Sequence, residues 1–345
     1  MKIALDATYS LGRNLSGVGV YCREILFGLA RAHPEARYLF CYRPHRYLRS
    51  FSDRLPANAA RRLLWDDRAP SADLFHGLNQ RLGAARHRRS VCTFHDLFVM
   101  SGDYSTPEFR GRFTQQARAA AERSDLIITV SAFTARQVEQ LLHVEPSKIR
   151  VVYHGARPAP WPIGAGSREP IVLSVGAIQR RKNIGRLVEA FEQIDAGWKL
   201  VLAGSFGFDS EAARERIERS PRKQDIQVLG YVTNSRLEDL YRRASIFAFP
   251  SLDEGFGMPV LDAMARGVPV LTSNVSAMPE VAGDAALLVN PTDAHSIADG
   301  LHRLAGSTDL RDTLIQRGLT RAKEFTWEKS VDATWKIYQE LIAKS

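Results

Sequence analysis

The sequence has little with which to crosslink itself or to hold a metal. Its 345 residues include three cysteines, Cys22, Cys41 and Cys92, at spacings that make neither a metal-ligand set nor a redox pair. That usage predicts a reducing, cytoplasmic setting. No D-x-D acidic pair occurs, and no cluster of metal-ligating residues stands out. If the substrate carries a diphosphate, its charge falls to arginine, lysine and backbone amides, and a bound Mg²⁺ is not expected. No apolar run approaches the ~20 residues of a membrane span. The opening MKIALDATYS reads as a strand followed by polar residues, without the pattern of a signal peptide.

The chain is long enough for two α/β domains and too long for one comfortable core. Its net charge of +9 is unevenly spread. Residues 1–168 carry 25 lysines and arginines against 14 acids, and the remainder 22 against 24. In the first half Arg43, Arg46, Arg49, Arg54, Arg61 and Arg62 alternate with Tyr42, Tyr47, Leu48, Phe51, Leu63 and Leu64. Such a surface is either an ordinary solvated arginine face or a contact with anionic lipid headgroups. With no recognition helix or aromatic-interleaved reader, nucleic acid is not expected as a partner.

Strands and helices alternate along both halves. Strands are predicted at residues 2–7, 38–41, 73–76, 90–94, 126–130 and 148–153, with helices from Val20 to Ala30, over 108–123 and over 132–142 behind a Ser131 cap. The loop from Ser10 to Gly19, with Gly12, Gly17 and Gly19, reads as a weak phosphate-cradling turn. The stretch HGARPAPWPIGAGSREP is rich in proline and glycine and reads as a connector over about 156–170. Beyond it, strands are predicted at 171–175, 199–203, 226–229, 246–249, 268–272 and 286–289, with helices at 184–193, 210–219 and 235–243 and three more closing the chain. The pattern predicts two doubly wound Rossmann-like domains facing across a cleft, at 1–165 and 170–326, with a last helix over 327–345.

The stretch 245–283 carries the densest chemistry. An apolar strand ends at Pro250, the loop Asp253-Glu254-Gly255-Phe256-Gly257 follows, and a helix is expected to enter at Pro259 and stop at Gly267. Acids there lie at the carboxyl edge of a strand, where open α/β sheets bind ligands, with nearby amides suited to anions. Asp262, placed in the first turn of that helix, is either a ligand or a complement to the helix dipole. Glu254, between Asp253 and two glycines in a flexible loop, is read as functional. Arg181 and Lys182, with Arg180 beside them, follow the first strand of the second domain and suit a diphosphate. His95, at the end of a first-domain strand beside Asp96, is read as a hydrogen-bond donor or an acid or base; the bland alternative is a loop histidine satisfied by Asp96. His76 carries a weaker form of the same reading.

The segments PSLDEGFGMPVLDAMARGVPVLTSNVSAMPEVAGDAALLVNP, SVGAIQRRKNIGRLVEAF, ITVSAFTARQVEQLLHVEPSKIRVVYHG, TFHDLF, VLAGSFG and GVGVY resemble glycosyltransferase family 4, whose members are retaining enzymes of GT-B fold. FTWEKSVDATWKIYQEL is similar to that family's closing helices, the last of which crosses back onto the N-terminal domain. The resemblance implies that Glu254 contacts donor-sugar hydroxyls and that Asp262, where relatives usually have glutamate, holds the ribose. It implies that Arg181 and Lys182 bind the diphosphate and that His95 lies near the leaving oxygen. It places Gly17 and Gly19 near the diphosphate, although Val20 stands where many relatives have arginine. The donor contacts expected are completed by Ser205, Val228, Tyr231, Gly255, Phe256, Gly257 and Met258. The implied reaction is metal-independent hexose transfer with retention, from GDP-mannose to a saccharide or lipid-linked saccharide at the inner membrane. It needs no cofactor beyond the nucleotide sugar. Two alternatives stay open: a UDP- or ADP-sugar donor, and a degenerate binder that transfers nothing.

Overall fold

The computed structural model describes residues 1–12, 14–164 and 168–343. The chain divides into two compact units. One comprises Met1–Ser101, Thr106–Gly155 and Phe325–Ser345, the other Gly102–Ser105 and Ala156–Glu324. Residues 165–167 of the expected connector and residues 344 and 345 of the expected last helix lie outside the described residues.

The first unit is built on seven strands: β1 (Lys2–Asp6), β2 (Arg37–Tyr42), β3 (Ala59–Leu63), β4 (Leu74–Gly77), β5 (Ser90–Phe94), β6 (Leu126–Thr129) and β7 (Ile149–Val151). Their order is β3-β2-β1-β4-β5-β6-β7, and every pairing is parallel. Ile3, Ala4 and Leu5 in β1 and Val91 and Cys92 in β5 are fully buried, as both faces of a parallel sheet require. Sequence direction reverses between β1 and β4, which makes that junction the crevice of the sheet.

The second unit holds β8 (Glu169–Val175), β9 (Lys199–Ala203), β10 (Ile226–Val228), β11 (Ala244–Phe249), β12 (Val270–Ser273) and β13 (Ala286–Val289), in the parallel order β10-β9-β8-β11-β12-β13. Its crevice lies between β8 and β11. Val172, Leu200, Ile246, Leu271 and Leu301 join one core beneath it. Both units are thus Rossmann-like α/β layers. Arg168 fastens the start of β8 by donating to the carbonyls of Tyr241 (3.0 Å), Ala244 (2.7 Å), Arg266 (3.1 Å) and Gly267 (2.7 Å).

Four local expectations are corrected. The first helix starts at Gly17 instead of Val20, because Ser16 caps it by accepting from the Gly19 amide at 3.3 Å. β3 runs through the basic stretch where no strand is predicted; as an edge strand it tolerates the adjacent Arg61 and Arg62 that a central strand would not. A short helix at Met278–Ala282 was not foreseen. The basic face is also smaller than its sequence implies. Arg43 is buried against Asp66 at 2.6 Å, and Arg61 donates to the Ser50 carbonyl and stacks on Phe51.

The helix Trp327–Ala343 packs within the first unit. Its Tyr338 hydroxyl meets His76 Nδ1 at 2.6 Å, its Glu340 receives both arms of Arg150 at 2.6 and 3.2 Å, and its Trp335 stacks on His33 with centroids 3.8 Å apart.

Candidate active site

At the crevice of the second sheet, the chain leaving β8 and the chain leaving β11 meet. The turn after β8 carries Arg181 and Lys182, and the loop after β11 carries Glu254. Arg181 Nη1 donates to Glu254 Oε1 at 2.7 Å, and Lys182 Nζ pairs with the same oxygen. Lys182 Nζ also lies 4.4 Å from the Phe249 ring centroid, a cation held over an aromatic face. Arg181 Nη1 reaches the Asp253 carbonyl at 3.2 Å, and the Leu252 amide donates to the Arg181 carbonyl at 2.7 Å, so the two segments are laced together.

Asn183 locks this lacing from behind. Its left-handed backbone (φ 61°) turns the chain into the helix Ile184–Phe191, and its side-chain amide donates to the carbonyls of Pro250 (3.0 Å) and Pro291 (2.6 Å). Gly257 is required too. Its φ is +93°, and a Cβ there would lie 2.3 Å from Met278 Cε.

Glu254 is 8% exposed, so it is no mobile loop acid; this corrects the flexible loop expected from its glycines. Burial alone would raise its carboxyl, but Arg181 and then Lys182 outweigh it and hold the group below the ordinary glutamate value. Two cations converge on one carboxylate, and the buried Asp253 next to Glu254 is a further acid of the same loop. A guanidinium and an ammonium fixed side by side can turn from that carboxylate to an anion and stabilise negative charge that develops on it.

Asp262 sits differently from the expectation. The helix is Met258–Ala265 with Pro259 second, so Asp262 lies past the first turn and does not complement the dipole. Its partner is Arg266, whose Nη1 lies 3.3 Å from Oδ1. Arg266 is itself buried. It is held in a two-pronged pair by Glu238 at 2.7 and 2.5 Å, lies 5.1 Å from the Tyr241 ring centroid, and donates to the Arg157 carbonyl at 3.3 Å. Burial raises the Asp262 carboxyl above the ordinary value, opposed by Arg266 and Arg157. Arg266 was missed in the sequence, although its i,i+4 spacing from Asp262 was a readable signal.

Phe256, Gly257 and Met258 form the entry to that helix, and Gly255 precedes them. Ser205 and Tyr231 are exposed, on the segments that follow β9 and β10, and Val228 ends β10 half-buried. These three share the carboxyl edge with Arg181 and Glu254 but lie on the neighbouring strands. Nothing brings them into the ion cluster itself.

The first unit brings together a different set. His95, just past β5, is 6% exposed, and its Nε2 lies 2.9 Å from the Leu78 carbonyl. A carbonyl only accepts, so the proton sits on Nε2 and Nδ1 keeps its lone pair. Burial lowers the His95 pKa to about 4. The imidazole is therefore neutral near pH 7, with its one N–H committed to the main chain and Nδ1 left as an acceptor. The hydrogen-bond partner found for the ring is Leu78, where the bland reading had put Asp96. His76 bridges Tyr338 and Thr93, at 2.6 and 2.8 Å, and burial brings its pKa to about 3. His154, which sequence reasoning passed over, stacks on His95 with centroids 5.5 Å apart, and Tyr21 meets His95 edge-on at 4.8 Å. Gly17 and Gly19 lie in the first helical turn, not in a loop. Gly19 is needed for packing, since a Cβ would approach the Tyr9 carbonyl oxygen to 2.9 Å.

The two parallel-sheet Rossmann-like units are those of a GT-B fold, and the chain's family and relatives make it a glycosyltransferase. The chain matches the family described as "Glycosyltransferase Family 4" over residues 8–159 and "Glycosyl transferases group 1" over residues 158–321, and it belongs to that family. It is 31% identical over 297 residues to O-antigen chain mannosyltransferase B of Escherichia coli, covering 81% of this chain and 78% of that one. It is 25% identical over 284 residues to the serotype-specific mannosyltransferase WbdA of the same species, a match that spans 74% of this chain and 34% of WbdA. Among solved structures it resembles sucrose-phosphate synthase from Thermosynechococcus elongatus, with a TM-score of 0.79, 21% identity and full coverage of both chains. The protein is a nucleotide-sugar-dependent glycosyltransferase acting on a saccharide or lipid-linked acceptor. Among the described residues no helix is long and apolar enough to cross a membrane.

Proposed function

We propose that the protein transfers mannose from GDP-mannose, with retention at the anomeric carbon, to a hydroxyl of a growing saccharide in bacterial surface-polysaccharide synthesis. The observation that carries the reading is the buried Arg181–Lys182–Glu254 cluster at the β8/β11 crevice. Its adjacent guanidinium and ammonium suit a diphosphate, and the mannosyl choice rests on the likeness to the O-antigen chain mannosyltransferase. The anomeric C–O bond to the diphosphate breaks as the acceptor oxygen bonds to that carbon. The acceptor proton passes to the departing phosphate oxygen. Arg181 and Lys182 meet the negative charge that grows on the leaving group, while Glu254 turns from counter-ion to partner of donor-sugar hydroxyls. Asp262 is assigned to the ribose hydroxyls, and Ser205, Val228 and Tyr231 to the outer donor pocket. His95, with Nδ1 unprotonated, is assigned to accept a hydrogen bond from the sugar or acceptor. The reaction is assigned no metal.

Contact with the anionic inner membrane is assigned to the segment 46–54. Leu48 and Phe51 are 83% and 59% exposed there, beside exposed Arg49 and Arg54. The test of the donor site is metal-free binding of GDP-, UDP- and ADP-sugars to the wild type, Arg181→Ala and Glu254→Gln. GDP-mannose is expected to bind most tightly, and Arg181→Ala to weaken it at least tenfold. Preference for a UDP- or ADP-sugar would replace the donor. Binding unchanged in both variants would move the site elsewhere.

A further inference from the structure

Four residues, Gly102–Ser105, stand in the chain between two helices of the first unit, Phe98–Ser101 and Pro107–Arg123, yet pack as part of the second unit. Their downstream end is fixed. Thr106 caps the following helix by accepting from the Phe109 amide at 3.3 Å, and Pro107 holds Thr106 extended. None of the four is buried: Asp103 is exposed, and Gly102, Tyr104 and Ser105 are half-buried. The segment therefore belongs to neither core. It rests on the turn Arg180–Lys182, the same turn that carries two of the three members of the ion cluster.

The acid of the segment faces the outermost cation of that turn. Asp103 Oδ2 lies 3.8 Å from Arg180 Nη1, and Asp209 approaches the same nitrogen at 3.7 Å. The side chains of Arg180 and Asp103 are 57% and 78% exposed, so water screens the pair and leaves it weak. Arg181 and Lys182 converge instead on Glu254. Each cation of the turn thus faces a carboxylate of the chain itself. Glu254 and Asp209 follow strands β11 and β9 of the second sheet, whereas Asp103 arrives from far upstream.

Tyr104 completes the arrangement. Burial and then Asp253 raise its phenol above the ordinary tyrosine value, opposed by Arg180 and Arg181, which sets the ring in the field of the ions beside Glu254. The ring folds back on its own chain. A Cβ on Gly102 would lie 2.3 Å from Tyr104 Cε2, so glycine at 102 lets the ring take this place.

An anion that enters the turn meets these carboxylates as competitors. Glu254 is buried, but Asp103 and Tyr104 sit on a short segment with little buried surface and exposed ion pairs. Segments of that kind open locally with little penalty.

We propose that Gly102–Ser105 is a strap over the donor site: without a nucleotide sugar it lies on the Arg180–Lys182 turn, with Asp103 standing in for a phosphate, and it lifts when a diphosphate takes the turn. The proposal rests on the donor reading above and goes beyond it by making access to the cations conditional. Apparent affinity is then reduced by the fraction of molecules whose strap is open, so a strap docked about nine-tenths of the time lowers it about tenfold.

The test is hydrogen exchange across residues 98–107, read by mass spectrometry on the wild type, Asp103→Asn, Tyr104→Ala, Arg181→Ala and Gly102→Ala, which displaces the ring without removing it. The probes are inorganic pyrophosphate, which needs the cations alone, and GDP-mannose. Either probe is expected to speed exchange in the wild type by about threefold or more, and Arg181→Ala to abolish that response. Pyrophosphate should bind Tyr104→Ala and Gly102→Ala about 3- to 10-fold more tightly than the wild type. Binding that leaves exchange unchanged would overturn the strap, and so would binding that slows it, which would make the segment a clamp that the donor needs. Tighter binding by Asp103→Asn without the same gain in Tyr104→Ala and Gly102→Ala also counts against it, because losing an acid beside a cation favours any anion. If neither probe binds the wild type or the variants, the donor reading falls and the strap with it. If both bind through Arg181 and the segment does not respond, the strap falls and the donor reading stands.

Discussion

The two sheet edges of this enzyme are built on the same topology and filled by opposite means. At the crevice of the second sheet the side chains are ions: Arg181 and Lys182 on one side, Glu254 on the other. At the ends of β4 and β5 in the first sheet they are buried imidazoles kept neutral, with His95 and His76 held by a carbonyl, a threonine and a tyrosine, while the buried ions of that edge, Arg43 with Asp6 and Asp66, gather at β1 to β3. A buried charge survives only with a partner, so the second edge needs its pair of cations and its carboxylate together. A neutral ring survives on hydrogen bonds alone. The difference suits a site for a charged diphosphate in one unit and for uncharged hydroxyls in the other.

The largest expected effect comes from removing a cation from the charged edge. Lys182→Met keeps a side chain over Phe249 but abolishes the charge, and kcat should fall by about 10²–10³, the usual scale for losing one group that stabilises developing charge. The circular dichroism spectrum should be unchanged. His95→Asn should cost far less. If the two variants lose equally, the contrast between charged and neutral edges does not describe the chemistry.

Acid should separate the units next. His95 titrates at about 4 and His76 at about 3 in the folded protein, both lowered by burial from 6.5. A histidine held neutral on folding stabilises fully above its unfolded value, and that stability drains as pH falls from 6.5 towards the folded pKa. Glu254, lowered from 4.5, holds its contribution until pH falls below 4.5. The first unit should therefore lose stability from about pH 6 downwards and the second only below 4.5. Hydrogen exchange resolved by segment checks the order, and simultaneous loss would count against it.

The smallest effect concerns Asp262. Arg266→Lys keeps a cation but loses the two-pronged pair with Glu238. The Michaelis constant for the donor should rise about 3- to 10-fold with kcat nearly constant, and its acid limb should move to higher pH as the shorter lysine holds its charge farther from Asp262 than Arg266 Nη1 does at 3.3 Å. A plain loss of stability would lower kcat without moving the pH profile.

Much of the fold was legible because a parallel strand buried on both faces is a short apolar run, and β1, β5, β8 and β11 read that way. β3 was hidden because an edge strand can carry Arg61 and Arg62, which look like surface. In the site, Arg181, Lys182 and Glu254 were legible as residues at strand edges. Their bonding to one another was not, and neither were the Asp262–Arg266–Glu238 chain and the tautomer of His95.

By itself the sequence determined the alternation of strand and helix, the two units, the family and the chemical types at the sheet edges. Those are local properties, written in periodicity, turn residues and short motifs. Tertiary structure alone decided which groups meet. Glu254 finds Arg181 across 73 residues and His76 finds Tyr338 across 262. Whether a carboxylate is a mobile ligand or a buried counter-ion, and whether an imidazole is charged or neutral, depends on burial and on partners far away in the chain. Neither quantity exists until the sheets have formed.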